Sequence, residues 1–160
     1  MRTIKCRGWE PEHKIWIYGS YFEHCNCAVC FSNDDRPEYH EHVILFDQMT
    51  DWSLPNRALL AAVEPESIGE YAGCTLDGKE VYEGDILCLT DETPYEGIVK
   101  FGPYNEGPGI SYDMGFYVDW QGKAKGCRKD LGFWINHKDI KIAGNIFERG
   151  LNDEDKRTDK

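Results

Sequence analysis

The stretch that decides the fold of this chain is VEPESIGEYAGCTLDGKEVYEGDI, residues 63–86. Pro65 suits the first position of a helix, so a short helical turn is predicted directly after it. Asp77 and Gly78 form a dipeptide that favours a tight β-hairpin, because both central residues of that turn need a positive φ. The apolar run that begins at Ile86 is typical of a central strand.

Short segments with strand patterning continue on both sides of this stretch. The predicted strands are residues 4–9, 14–18, 43–46, 86–89, 97–101, 116–120, 133–135 and 140–142. A helix is predicted from a cap at Ser53 through residue 62. The 16 Gly, 7 Pro and 13% aromatic residues suit many short strands joined by turns. The fold class is therefore predicted to be mainly β, with a small antiparallel barrel that is closed or nearly closed.

The length of 160 residues is that of one domain able to bury its own core. A soft boundary near residues 71–73 separates an N-terminal subdomain, residues 1–72, from a barrel subdomain, residues 73–150. Residues 151–160 are mostly charged and lack an apolar anchor, so a flexible tail is expected there.

The net charge of −11 and the pI near 4.8 restrict the classes of partner. Nucleic-acid binders gain affinity by neutralising phosphates with Lys and Arg, so this acidity disfavours nucleic acid and anionic membranes. Lys123, Lys125, Arg128 and Lys129 are a candidate basic patch, although a solvated loop is the commoner origin of such a run.

The N-terminal residues and the cysteines indicate the compartment. The start of the chain has no apolar signal region, and the apolar run at residues 58–63 is too short to cross a bilayer. Seven cysteines are an odd number, which does not suggest a disulfide framework. Reduced thiols and a cytoplasmic location are therefore expected.

Five blocks carry a resemblance to a known family: residues 4–9, 63–73, 78–86, 97–101 and 144–148. In this order they span nearly the whole chain, and together they resemble the YopX-like proteins of phages and prophages. Cys6 stands where the family usually has an aromatic residue, and the hairpin at Asp77 and Gly78 is slightly shortened. Residues 22–42 match no family pattern.

The resemblance implies a small α/β N-terminal part joined to a larger SH3-like barrel, and assembly as a homo-oligomer of several subunits. It also implies a phage or prophage protein, mostly of Gram-positive hosts, located in the cytoplasm of the bacterial host. It does not imply a particular biochemical activity or identify a host or phage partner.

The strongest candidate for chemistry is a cluster of cysteine and histidine residues. Cys25, Cys27 and Cys30 are followed by His40 and His42. A gap of two residues lets Cys27 and Cys30 point at one ion, and a later histidine would add a nitrogen to a tetrahedral zinc site. The simpler alternative is a β-arm on the surface whose reduced thiols bind nothing. A redox role is less favoured because no βαβ pattern surrounds the two cysteines.

Glu80, Glu83 and Asp85 form an acidic cluster that is a weaker candidate for acid–base or metal chemistry. Gly84 marks a bend before a buried strand, and there Asp85 is expected to accept hydrogen bonds from backbone amides of the turn. No catalytic residue is assigned, and no cofactor other than zinc.

Aromatic residues in the second half of the chain allow two further interpretations. They would form a stacking surface for single-stranded nucleic acid, or pack in the barrel and at a subunit interface. These residues are Tyr104, Tyr112, Phe116, Tyr117, Trp120, Phe133 and Trp134. The leading functional hypothesis is a non-enzymatic, oligomeric interaction or assembly protein. The alternatives are a nucleic-acid-binding regulator and a zinc-stabilised interaction module.

Overall fold

The computed structural model describes residues 4–28, 31–50, 54, 56–89, 95–105, 113–121, 126–127, 129–137 and 139–150. The chain divides into two compact units, Met1–Glu70 (unit 1) and Tyr71–Lys160 (unit 2). Among the described residues, no helix has both the length and the apolar character needed to cross a membrane.

Unit 1 is an antiparallel sheet. Its strands are β1 (Cys6–Glu10), β2 (Ile15–Cys25), β3 (His40–Gln48), β4 (Arg57–Ala62) and the first residues of β5 (Gly69–Leu76), in the order β4-β3-β2-β1-β5. The 3₁₀ turns are Ser32–Asp34, Pro37–Tyr39 and Pro65–Ser67. The turn predicted after Pro65 is confirmed, since Pro65 begins the third of them.

The long strand β2 pairs with β1 through its first half and with β3 through its second half. Gly19 lies where the partner changes, and a Cβ atom there would lie 2.0 Å from the carbonyl oxygen of Leu45. Only glycine allows so close an approach of two backbones. The core on this side of the sheet contains Ile17, Ile44 and Val63.

The predicted helix from Ser53 to residue 62 is wrong where it can be compared. Arg57–Ala62 is strand β4, paired residue by residue with β3, while Ser53 lies outside the described residues. Ala and Leu are strong helix formers, but the preference is small per residue, and hydrogen bonding to a neighbouring strand outweighs it. Within its described residues, unit 1 is thus a β-sheet with short 3₁₀ turns rather than an α/β subdomain.

Unit 2 begins with the hairpin of β5 and β6 (Lys79–Tyr82). The φ angles of Asp77 and Gly78 are 51° and 77°, which confirms the predicted tight turn. The other elements are β7 (Asp85–Leu89), β8 (Tyr95–Tyr104), β9 (Asp113–Trp120), α1 (Leu131–His137) and β10 (Ile140–Asn145). Strands β10-β7-β8-β9 form an antiparallel sheet in that order, and residues 146–150 are helical.

Residues 133–135 lie in helix α1, so the strand predicted there is wrong. The Asp130 carboxylate accepts a hydrogen bond from the Phe133 amide at 2.8 Å and caps the helix start. Leu131 and Trp134, three residues apart, face the core, where Trp134 packs edge-to-face on Trp120 with ring centroids 5.1 Å apart.

The mainly β fold is confirmed, but the SH3-like barrel is not closed. Among the described residues, β9 and β10 are the two edges of the four-stranded sheet and do not pair with each other. The physical reason is that residues 131–137 form α1. This helix covers the core with Leu131 and Trp134 instead of adding a strand that bridges the two edges.

Candidate functional site

The residues predicted to bind zinc lie at the far end of the ribbon formed by β2 and β3. Cys25 ends β2, His40 begins β3, and the two are directly paired. Directly opposite residues share one face of an antiparallel pair. The intervening segment is closed at its base by a backbone hydrogen bond, in which the Asn26 N–H donates to the Tyr39 carbonyl oxygen at 2.9 Å.

Three potential metal ligands meet at this end of the ribbon. The Cys25 thiol, an Asp35 carboxylate oxygen and a His40 ring nitrogen all lie within 4.8 Å of one another. Asp35 is brought there by the 3₁₀ turn Ser32–Asp34, which it directly follows. We call Cys25, Asp35 and His40 the ribbon-end cluster.

Both ring nitrogens of His40 face carboxylates. Nε2 lies 2.7 Å from Oδ1 of Asp35, and Nδ1 lies 2.9 Å from Oε1 of Glu23. Hydrogen bonding to Asp35 is the main cause that raises the pKa of His40; burial opposes it, and the charges of Asp35 and Glu23 add to the rise. The ring is held between two acidic groups from different segments.

The other predicted ligands are not part of this cluster. Cys27 is exposed, and its thiol donates to the Asn26 side-chain oxygen at 3.3 Å. Nδ1 of His42 lies 2.8 Å from the hydroxyl oxygen of Tyr21, and the His42 ring stacks on the Tyr21 ring. Cys30 lies outside the described residues.

Two carboxylates near His40, those of Asp35 and Glu23, were not predicted from the sequence. Glu23 was predictable, because a residue two positions before Cys25 on one strand must lie on the same face. Asp35 was not predictable, because its position depends on the path of a segment without periodic patterning.

A second group of potential ligands lies in the β1–β2 turn, where Glu10, Glu12 and His13 meet. The two oxygens of Glu10 accept the backbone amides of Glu12 and His13 at 2.8 and 2.9 Å, and the second also meets Nδ1 of His13 at 2.7 Å. That hydrogen bond raises the pKa of His13. These contacts identify the group as a stabilised turn.

The acidic cluster of unit 2 stabilises the fold through hydrogen bonds that its carboxylates accept. Asp85 is 2% exposed and accepts the Tyr82 amide at 2.9 Å, as predicted. Glu83 accepts the Phe101 amide at 3.2 Å, and Glu80 accepts the Tyr82 hydroxyl at 2.6 Å. The three carboxylates therefore fix backbone and side-chain positions around the turn before β7.

The aromatic residues singled out in the second half of the chain are largely core residues. Trp120, Trp134 and Tyr117 are buried, and Phe116 and Phe133 pack partly buried against the core of unit 2. Tyr112 lies outside the described residues. Of the candidate basic patch, Lys129 is described, and its ammonium lies 5.2 Å from the centroid of the Phe133 ring.

The sheet of unit 1 exposes apolar side chains on the face opposite its core. Tyr18 and Phe22 of β2, Leu45 of β3 and Leu60 of β4 are 44%, 37%, 40% and 55% exposed. Leu45 is paired directly with Leu60 and with Ser20, which lies between Tyr18 and Phe22 on the same face of β2. We call these four residues the outer apolar face.

Strand β4 is an open edge, because among the described residues it pairs with β3 alone. A groove of about 470 Å³ lies beside it on the core side of the sheet, lined by the β1–β2 turn, by Ile15, Ile17 and Phe46, and by residues 59–62.

Comparison with known proteins gives no match to a family, to a curated protein or to a solved structure.

Proposed function

We propose that this chain is a non-enzymatic interaction protein that assembles with further copies of itself through the sheet of unit 1. The observation that carries the proposal is the outer apolar face beside the open edge of β4. Apolar surface that is exposed and contiguous in this way is characteristic of protein–protein contacts.

Strand β4 has little of the protection that keeps edge strands from pairing, since its one charged residue, Arg57, stands at its start. Lysines, prolines, inward-pointing charges and bulges normally prevent an edge from accepting another strand. Residues 58–62 read Ala-Leu-Leu-Ala-Ala, and their pairing with β3 is regular throughout. An edge of this kind favours a strand partner.

A second copy of β4 is a suitable partner. Two copies related by a two-fold axis perpendicular to the sheet would pair their β4 strands antiparallel, which is a self-complementary contact. Such an axis keeps the same face of both sheets on one side. Leu45 and Leu60 of each copy would then join into one apolar surface across the new strand pair.

The resemblance to YopX-like phage and prophage proteins supports the same proposal, because it implies a homo-oligomer. A nucleic-acid-binding role has less support. Its stacking surface would need Trp120 and Trp134, whose rings are buried in unit 2, and the net charge of −11 works against phosphate binding.

Light scattering coupled to size-exclusion chromatography tests the proposal at micromolar protein concentration. We expect the natural chain to be an oligomer and Leu60→Lys to shift it towards the monomer. Leu60 is 55% exposed, so a lysine there leaves the isolated chain intact while placing a charge at the proposed contact.

Met114→Lys is the matched control, because Met114 is an apolar residue of β9 with 59% exposure. We expect this variant to assemble like the natural chain. A natural chain that is strictly monomeric would overturn the proposal. Assembly that survives Leu60→Lys but is lost in Met114→Lys would overturn the assignment to β4.

A further inference from the structure

We propose that the ribbon-end cluster of Cys25, Asp35 and His40 is a zinc site. Its donors are a thiolate, a carboxylate and an imidazole nitrogen, each of which zinc accepts in proteins. They come from the end of one strand, the start of the next and the segment between them. Ligand atoms within 4.8 Å of one another can face a single ion after small side-chain movements.

Glu23 provides the outer support that a zinc-bound histidine needs. A ligating histidine normally donates its second ring N–H to a carboxylate or carbonyl, which fixes its tautomer and orientation. Nδ1 of His40 already faces Glu23 at 2.9 Å, which leaves Nε2, the atom beside Asp35, to bind the metal.

The segment that joins the two strands gives the metal a structural task. Its 3₁₀ turns, Ser32–Asp34 and Pro37–Tyr39, contain no buried residue. Turns that bury no residue have little to offset the entropy lost on ordering. A metal that joins Cys25, Asp35 and His40 would tie this segment to the ribbon, since the free energy of metal binding stabilises the folded form.

The turn at Glu10, Glu12 and His13 makes a useful contrast. There both carboxylate oxygens of Glu10 accept backbone amides, which makes the carboxylate part of the turn itself. In the ribbon-end cluster the carboxylate of Asp35 faces the imidazole of His40, and the third group is the thiol of Cys25, which donates to the Cys27 carbonyl at 3.4 Å. Zinc binds more tightly to such a mixed set than a hard, oxygen-preferring ion such as Mg²⁺.

Three protein ligands leave one position of a tetrahedral site open, and water or a ligand from outside the chain would occupy it. Cys27 does not belong to this set, because its thiol is not among the ligand atoms that lie within 4.8 Å of one another.

The first test is a zinc titration of the full chain without an affinity tag, after removal of metal by a chelator. We expect one zinc per chain by elemental analysis. Replacement by Co²⁺ should give a thiolate charge-transfer band and the intense d–d bands of tetrahedral cobalt. Absence of stoichiometric metal, or a cobalt spectrum of octahedral type, would overturn the proposal.

The second test compares variants in competition with a chromophoric chelator. We expect Cys25→Ser, Asp35→Asn and His40→Gln each to lower zinc affinity by at least tenfold. Cys25→Ser should also abolish the thiolate band. Glu23→Gln should lower affinity about 10- to 100-fold and keep the band, because Glu23 acts through His40.

Cys27→Ser and His42→Gln are matched controls from the same ribbon, and we expect both to bind zinc as the natural chain does. Affinity lost equally in these controls and in the cluster variants would overturn the assignment of ligands. The Leu60→Lys variant should bind zinc normally, so a failure of the proposed assembly and a failure of the metal site are distinguishable.

Discussion

The carboxylate of Asp85 shows how a single residue can look catalytic and yet serve the fold. It is buried at the start of β7, where it accepts the Tyr82 amide at 2.9 Å and lies 3.5 Å from the side-chain nitrogen of Asn145. A short acidic side chain is suited to such a place, because it reaches backbone donors only a few residues away. The carboxylate of Asp85 therefore helps to hold the turn before β7.

Replacing Asp85 with alanine should destabilise unit 2, because the buried amide of Tyr82 would lose its acceptor. An unpaired buried donor costs about 1–3 kcal/mol. We expect the free energy of unfolding in urea to fall by about that amount in Asp85→Ala. Asp85→Asn retains one oxygen acceptor and should lose less. Equal stability of the natural chain and the alanine variant would contradict this role for Asp85.

The ribbon-end cluster was partly predictable at the residue scale. Cys25 and His40 stand out by residue type, and hydrogen bonding between their strands brings them together. Asp35 does not stand out, because aspartate is common in turns and its approach to His40 depends on the two 3₁₀ turns around it. Spacing rules instead drew attention to Cys27 and away from the carboxylate.

At the scale of elements, hydrophobic alternation and turn chemistry predicted most strands, but two elements were assigned the wrong type of secondary structure. Arg57–Ala62 was predicted as helix and forms β4, while residues 133–135 were predicted as strand and lie in α1. Short apolar runs fit both periods. In each case the partner decides: β3 supplies hydrogen bonds to β4, and the core of unit 2 takes Leu131 and Trp134 from one face of α1.

The close contact between β2 and β3 at Gly19 predicts that a side chain at this position destabilises the sheet. In Gly19→Ala the new Cβ would lie 2.0 Å from the Leu45 carbonyl oxygen, so the two strands must separate. Overpacking of this kind costs about 1–3 kcal/mol. We expect a lower urea midpoint than for Ser20→Ala, a neighbouring exposed position where the change should be within about 0.5 kcal/mol. Equal midpoints would show that β2 tolerates a side chain at residue 19.

At the scale of the whole molecule, the mainly β class followed from composition and turn residues, whereas barrel closure did not. Closure depends on which edges meet, and α1 occupies the place of the strand expected at residues 133–135. Sequence patterning describes the faces of strands well, but it contains little information about edges. The open edge of β4 therefore became visible only with the pairing of the sheet.

The net charge of the whole chain opposes the assembly proposed through β4. Every copy carries −11, so copies repel one another, while the proposed contact is apolar. The Debye length falls from about 30 Å at 0.01 M salt to about 8 Å at 0.15 M. We therefore expect self-association of the natural chain, measured by sedimentation equilibrium, to strengthen as sodium chloride is raised over this range.

The variant Leu60→Lys separates the contribution of repulsion from that of the contact. It should associate more weakly than the natural chain at each salt concentration, because the added lysine changes the net charge only slightly but must be buried in the proposed contact. Met114→Lys carries the same change in charge and should follow the natural chain. Association that weakens with added salt would indicate an interface held by ion pairs, and would contradict an apolar contact along β4.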